Sequence, residues 1–500
     1  MKQLNRREIL KLTGAAGAAG LVANSPFGGL VAGAQPATSA VATKSSPLGV
    51  GSRGYYLTFG RIPTVTLETW RSIMDSFAED GVDHVVLYLG GAFRSRKYPI
   101  TWQYNKEHEN VRHNFVGPLI DYAHRRNIKI LLGFTPYTYD GTNQYAFQRP
   151  DLKGIQANGN LARLQGIHSW GYNLNPTKTD TKRFMLDYVR EMYFEFYPNA
   201  DGLLIESADI DICLGGDCGG PTRYYEIEYE FVQQISEEVW AHNQGAQILV
   251  YPHYFTGAPN GADMPYDPRW GLFFTPWTVN LELAKRASYA YYFDLDVLDK
   301  SPRYVQASVK YARDNGFAGY LPSHEFFTYV PEHAEIGDTS VIGRQLHPFG
   351  IEVIGLDENP YTDPLVAVNR TAYREYSRNP DLSDDAFRVL LGQAVFGDSA
   401  TDQDIDDLLS MHDAYYFGKS LFSPAAQADP LILRHNLERG IMSSDDLRRV
   451  HDGLEALPAV THRLRTSPNP AVRHLSRHAE LITKNWRPAD RELLASHLGT

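Results

Sequence analysis

The segment Asp201–Ser207 reads Asp-Gly-Leu-Leu-Ile-Glu-Ser, an apolar run that closes on Glu206 and leads into Asp209 and Asp211. A carboxyl group there is poorly solvated unless it opens onto a cleft. Partial burial raises its pKa, so that it can hold a proton near neutral pH and pass it to a leaving group. The competing role is a structural carboxylate bonded to backbone donors of the next loop. Two later apolar runs also end in acids. Phe293-Asp294-Leu295-Asp296 offers Asp294, and Pro322-Ser323-His324-Glu325 offers Glu325, beside His324 and ahead of Phe326 and Phe327. Paired carboxyls suit glycosidic-bond hydrolysis, about 5–5.5 Å apart for retention and about 6.5–9.5 Å for inversion. Glu206 is the candidate acid, with Glu325 first and Asp294 second as its partner. Either partner taken singly also fits an ordinary acid at the rim of a fold.

Aromatic and imidazole side chains end other runs. Tyr88 lies near the end of the second run and Tyr137 follows the third. His253 closes the fifth after Tyr251-Pro252, and Trp277 closes the sixth after Thr275-Pro276. Aromatic faces suit the apolar faces of sugar rings, while His and Asp bind hydroxyls. Tyr88, Tyr137, Asp209, Asp211, His253, Trp277 and His324 are therefore the candidate substrate contacts. The blander reading packs these rings under the loops. Arg61 and Arg94 carry less weight, because lone loop arginines are usually solvated.

Cys213 and Cys218, the only two cysteines, flank Leu-Gly-Gly-Asp just after Glu206. A disulfide there would stiffen the loop carrying Asp209 and Asp211, and two free thiols are the alternative. Asp209, Asp211 and Asp217 are oxygen ligands of a kind that suits calcium. Counting from Asp209, however, position twelve is Gly220, where an EF-hand loop needs a bidentate Glu. Calcium is a weak expectation, and no metal site or other cofactor is assigned. A zinc site at His253 has no H-E-x-x-H support.

These residues need elements to hold them. Short apolar runs recur at Tyr55–Phe59, His84–Leu89, Ile128–Phe134, Gly202–Glu206, Gln247–Tyr254, Gly271–Trp277, Tyr289–Leu295 and Phe317–Leu321. Their length and all-round apolarity suit strands buried on both faces. Helical spacing appears between them: Trp70, Ile73, Met74 and Phe77; Phe184, Tyr188, Met192 and Phe196; Tyr304, Val305, Val309 and Tyr311. Strand then helix, eight times, predicts an α/β fold of the (β/α)8 TIM-barrel class, whose active sites gather at the C-terminal strand ends. No G-x-G-x-x-G or P-loop follows the first run, which removes the commonest form of an open doubly wound sheet.

About 65 residues separate the third run from the fourth and include Tyr137, Tyr139, Tyr145, Trp170 and Tyr172. A second long connection runs from Glu325 to Leu365. Their aromatics suggest ordered cleft walls. After residue 365 strand-like runs vanish and helical patterns cover 384–396, 402–417, 430–440, 443–457, 469–485 and 488–497, with Gly397 and Gly418 as C-caps. The expected organisation is a leader over 1–34, a linker over 35–50, a barrel over 51–365 and a C-terminal α-helical domain over 366–500.

The charge balance is 48 basic against 59 acidic residues, or −11. Nucleic acid and anionic membrane surfaces want basic patches, so neither is expected as the main partner. Beyond the N-terminus no apolar run approaches the roughly 18 residues of a membrane span. Residues 1–34 carry Asn5-Arg6-Arg7-Glu8-Ile9, a mildly apolar stretch and Ala32-Gly33-Ala34. This resembles a twin-arginine export signal, which implies the export machinery as a partner and a periplasmic or extracellular destination. Removing it takes +3 away and leaves −14.

Asp201–Ser207 with its acidic, Cys-containing loop resembles the fourth-strand region of barrel glycoside hydrolases related to β-N-acetylhexosaminidases and α-glucuronidases. Arg378-Asn379-Pro380-Asp381-Leu382-Ser383, with the helix reaching Phe396-Gly397-Asp398, is similar to the helical region appended to such barrels. The resemblance implies an exported glycosidase acting on an oligo- or polysaccharide, with Glu206 as general acid and Asp294 or Glu325 as the further carboxylate. One position departs: hexosaminidases of this kind place Asp directly before the acid, and here Ile205 stands there. The resemblance therefore does not carry substrate-assisted catalysis on N-acetyl sugars. Three other functions fit the same residues: a polysaccharide lyase with a Tyr or His base, a non-catalytic glycan-binding barrel and a metal-dependent hydrolase.

Overall fold

The computed structural model describes residues 49–498 apart from 62–64, 107, 140, 165–170, 209–211, 259–260, 277, 295–300, 325–326, 329–344, 347–358, 417–443 and 486–487. The 1–34 leader, Trp170, the 430–440 helical pattern and Gly418 lie outside the described residues. Eight parallel strands close into a barrel: β1 Ser52–Leu57, β2 His84–Tyr88, β3 Lys129–Phe134, β4 Gly202–Ile205, β5 Gln247–Val250, β6 Gly271–Phe274, β7 Ala290–Asp294 and β8 Gly319–His324. Each strand pairs with its neighbours in sequence, and β1 pairs with β8. All eight apolar runs supply one strand, so the (β/α)8 expectation holds. Several strands are shorter than their runs. In the fifth, Pro252 lacks an N–H for the ladder, and a 3-10 turn takes over at Pro252–Tyr254.

Side chains alternate between the two faces of a strand, so one phase of each fills the barrel and the other meets the outer layer. The interior is a single cluster of Tyr56, Val86, Tyr88, Leu131, Leu204, Leu249, Tyr251, Phe273, Tyr291, Phe293 and Leu321. At the N-terminal end the foot is polar. Ser52 Oγ donates to Asp83 at 2.9 Å and lies 3.0 Å from the Tyr291 hydroxyl, and His84 Nδ1 meets Asp83 at 2.5 Å. Gly54 is required here, because a Cβ would sit 2.2 Å from the His84 ring.

The outer helices follow their patterns. In α1 (Leu67–Asp80) Trp70, Ile73, Met74 and Phe77 are buried; Thr66 caps the start, and Gly81 ends it in the left-handed region at φ 76°. Helix α2 (Val116–His124) precedes β3. In α3 (Thr179–Arg190) the expected helix passes into a π-helical turn at Glu191–Phe196. The turn leaves Glu191 fully buried, accepting from Ser95 Oγ at 2.6 Å and Arg96 N at 2.8 Å. Helix α4 (Gly220–His242) follows β4 and its loop.

The described residues divide into two units, one within 52–294 and 315–345, the other within 49–51, 301–314 and 346–498. The second contains α5 (Pro302–Asp314), α6 (Pro364–Arg378), α7 (Asp384–Phe396), α8 (Asp402–Tyr416), α9 (Ser444–Thr466), α10 (Pro470–Asn485) and α11 (Pro488–Leu498). Helix α6 falls in a stretch where no helical pattern was read. Its signal was local: Asp363 accepts from Leu365 N as N-cap, and Pro364 fills the first helical position. Ser383 caps α7 and Gly397 ends it at φ 71°. Inside this unit Gln306 Nε2 donates to the carbonyls of Pro380 and Leu382, and a buried His478 Nε2 meets Asp363 at 2.6 Å. Among the described residues no helix is long and apolar enough to cross a membrane.

Candidate active site

Glu206 stands one residue past β4, in phase with the interior Leu204, at the C-terminal mouth of the barrel. Its N–H still donates to the Phe134 carbonyl at 3.0 Å, so the ladder with β3 fixes its backbone. The side chain is half-buried. Its Oε2 accepts from the Tyr56 hydroxyl at 3.0 Å and from Thr135 Oγ1 at 3.4 Å. Thr135 in turn is 2.8 Å from the Tyr88 hydroxyl. Four adjacent strands, β1 to β4, thus contribute to one hydrogen-bonded group. Hydroxyl donors hold the carboxyl in place, an arrangement open to a group that gives and takes a proton. Tyr56 is steadied by the rings of Tyr88 at 5.9 Å and Phe293 at 5.3 Å.

On the adjoining side of the barrel, Tyr251, one residue past β5, reaches Thr275 Oγ1 at 3.0 Å, and Thr275 reaches Thr278 at 2.8 Å. His253 sits on the 3-10 turn after β5, its ring stacked on Tyr225 at 5.0 Å and tilted against Tyr251 at 4.7 Å.

Two expected site residues lie on the wrong face. Asp294 ends β7 in phase with Tyr292, not with the interior Tyr291 and Phe293. Its carboxyl is 3% exposed, and the Tyr320 hydroxyl lies 3.5 Å from Oδ2. Tyr320 stacks on Tyr292 at 6.1 Å, and Phe317 packs against Tyr292 and Phe274, which marks this as the outer layer. The structure thus places Asp294 in the wall and does not bring it to Glu206. His324 ends β8 in phase with Tyr320 and is 1% exposed, and its carbonyl accepts from Thr58 N at 3.3 Å. It too stands in the outer phase and is not brought to Glu206.

Tyr137 is likewise not an open platform. It is 1% exposed, held at φ 64°, and meets Phe231 edge-on at 5.8 Å. Burial, then the nearby Glu228 and Glu230, push its phenol far above the ordinary range. Tyr145, from the same insertion, stacks on Phe184 at 4.0 Å, so this part of the insertion is tied to α3 by aromatic packing. Cys213 and Cys218 are joined in a disulfide with Cα atoms 5.9 Å apart. Their loop is pinned where Leu214 N and Gly215 N both donate to the Ile155 carbonyl. Asp217 accepts from Lys178 Nζ at 2.7 Å and Asn175 Nδ2 at 2.9 Å, which hold its carboxyl below the usual range. Glu325, Asp209, Asp211 and Trp277 lie outside the described residues.

No family model and no curated protein matches the chain. Solved structures do. A glycoside hydrolase of family 138 that targets pectin rhamnogalacturonan II is similar at 12% identity and TM-score 0.50, over 91% of this chain and 59% of that one. The chitobiase of Flavobacterium johnsoniae is similar at 12% identity and TM-score 0.43, over 90% and 75%. Dispersin B is similar at 12% identity and TM-score 0.37, over 66% and 97%. At such identities the likeness speaks to fold: this chain spans about three-fifths of the family 138 enzyme and shares its barrel architecture.

Sequence reasoning missed Tyr56, Thr135 and Glu228. Thr135 had a signal, since it follows the third run as Glu206 ends the fourth, and the register pairs Phe134 with Ile205. Glu228 lies mid-helix in α4 among Tyr and Phe, where its acid reads as one more solvated helix position. Ile205, in the position before the acid, is fully buried in the outer phase.

Proposed function

We propose that the protein is a glycoside hydrolase, exported by the twin-arginine route, in which Glu206 protonates the leaving glycosidic oxygen. One observation carries the reading: a half-buried carboxyl at the C-terminal mouth of a closed eight-stranded barrel, fixed by the hydroxyls of Tyr56 and Thr135. In this scheme the glycosidic C–O bond breaks as the Glu206 proton moves to the departing oxygen. A second carboxylate then either draws the proton from the attacking water or bonds to the anomeric carbon. We assign that role to Glu325 from its place after the β8 segment in the sequence. Tyr88 and Tyr251, whose hydroxyls meet Thr135 and Thr275, and His253 bound the sugar site. The shared architecture with a family 138 glycoside hydrolase supports the choice of reaction class only through the fold.

The test is a screen of the purified full-length chain against aryl glycosides and plant, algal and bacterial polysaccharides, pectin fragments included. The expected result is new reducing ends with wild type and none with Glu206→Gln, and a large loss with Glu325→Gln. A product with an ultraviolet-absorbing unsaturated sugar would indicate a lyase, and tight glycan binding without turnover a binding protein. Either result overturns the proposal. Export is tested separately: replacing Arg6 and Arg7 by Lys should retain the protein in the cytoplasm.

A further inference from the structure

Past Glu206 the alternation of faces continues. Ser207 points to the outer layer, where its hydroxyl donates to Glu228 Oε2 at 2.5 Å, and the Tyr254 hydroxyl donates to the same oxygen at 3.1 Å. Glu228, on α4, is fully buried. Its surroundings are the Ser207 and Tyr254 hydroxyls and the Ala208 backbone, while the buried phenols of Tyr137 and Tyr224 feel its charge. None of these groups is basic. Tyr137 comes from the segment after β3, Tyr254 from the turn after β5, and Ser207 from the segment just past β4. Three segments around the mouth therefore converge on one carboxyl, and the nearest of them adjoins the candidate acid in sequence.

We propose that Glu228 is a positioning residue: its buried carboxyl accepts from the Ser207 and Tyr254 hydroxyls and so fixes the chain that presents Glu206. The assignment rests on the glycosidase reading of Glu206. Burial favours the protonated form and pushes the carboxyl up to about 8, while the Ser207 and Tyr254 hydroxyls and the Ala208 backbone, as donors, favour the carboxylate. A carboxyl accepts from both hydroxyls in either state, so what positions Ser207 is the acceptor and not the charge. Small misplacement of an acid relative to its substrate costs up to about a hundredfold in rate.

The experiment pairs steady-state kinetics with urea unfolding on Glu228→Gln and Glu228→Ala in the full chain. Gln keeps an acceptor toward Ser207 and Tyr254, and Ala has none. Turnover in Glu228→Ala should fall about tenfold to a hundredfold, in kcat and not in KM, and Glu228→Gln should restore most of it. Wild-type turnover in Glu228→Ala, or an equal loss in Glu228→Gln and Glu228→Ala, overturns the assignment. If wild type hydrolyses no glycoside, the glycosidase reading fails by itself. Unfolding then still decides whether the carboxyl holds Ser207 and Tyr254: Glu228→Gln should be more stable than Glu228→Ala, and equal stability of the two rejects it.

Discussion

The ends of β4 and β7 look alike as sequence and differ in place. Each is a short apolar strand closing on an acid, Leu-Leu-Ile-Glu in one and Tyr-Tyr-Phe-Asp in the other. Glu206 shares the phase of Leu204 and meets the hydroxyls of Tyr56 and Thr135 in the mouth. Asp294 shares the phase of Tyr292 and meets the Tyr320 hydroxyl outside the wall. The difference is a single residue of phase. A strand has period two, so one step exchanges the face toward substrate for the face toward the outer layer. An acid at a strand end is thus a catalytic candidate only once the interior phase of that strand is known.

The largest effect should come from Glu206. Glu206→Gln keeps the hydroxyl contacts and the fold but loses the proton, so turnover on the best glycoside should drop about a hundredfold to ten-thousandfold, with an unchanged melting temperature. Normal turnover would end the distinction between the two strand ends. Next is Tyr56→Phe, which removes one of the two hydroxyls on Glu206 Oε2 and should cost about tenfold in kcat with little change in KM, measured by steady-state kinetics. If KM alone rises, Tyr56 serves binding and not the acid.

The third prediction concerns stability against pH. The carboxyl of Glu228 is pushed up to about 8 by burial, from an ordinary value of 4.5. Between those limits the folded protein holds a proton that the unfolded chain has released. Stability should therefore fall as pH rises across that window, by up to about 1.4 kcal/mol per pH unit, and level off above it. Urea unfolding across the window should show this slope in wild type and a flatter one in Glu228→Gln. The smallest effect should be on turnover in Asp294→Asn: kcat within about twofold of wild type, with at most about 1 kcal/mol lost on unfolding as the contact to Tyr320 changes. A collapse of kcat with an intact fold would place Asp294 in the mouth and break the comparison.

Most of the barrel was legible in the residues. Eight apolar runs gave eight strands, because strands buried on both faces must be apolar throughout. The helical spacing of Trp70, Ile73, Met74 and Phe77 gave α1, and Ser383 with Gly397 marked both ends of α7. The site was legible only in part. Glu206 was found because an acid at the end of Leu-Leu-Ile contrasts with what precedes it. Tyr56 and Thr135 were not, since a Tyr inside an apolar run and a Thr beyond one carry no contrast.

The same all-apolar character explains what was hidden. Where both faces of a strand are apolar, the pattern shows that a strand exists but not which phase points inward. Local sequence therefore determined the number and order of the strands, the caps of the helices and the presence of an acid at each of three strand ends. Closure of the barrel decided the rest. It set the phase of every strand, brought Tyr56 from β1 to Glu206 150 positions away, sent Asp294 and His324 to the outer layer, and set Glu228 behind Ser207. Those contacts depend on the stagger between strands, a property of the closed sheet and of no single segment.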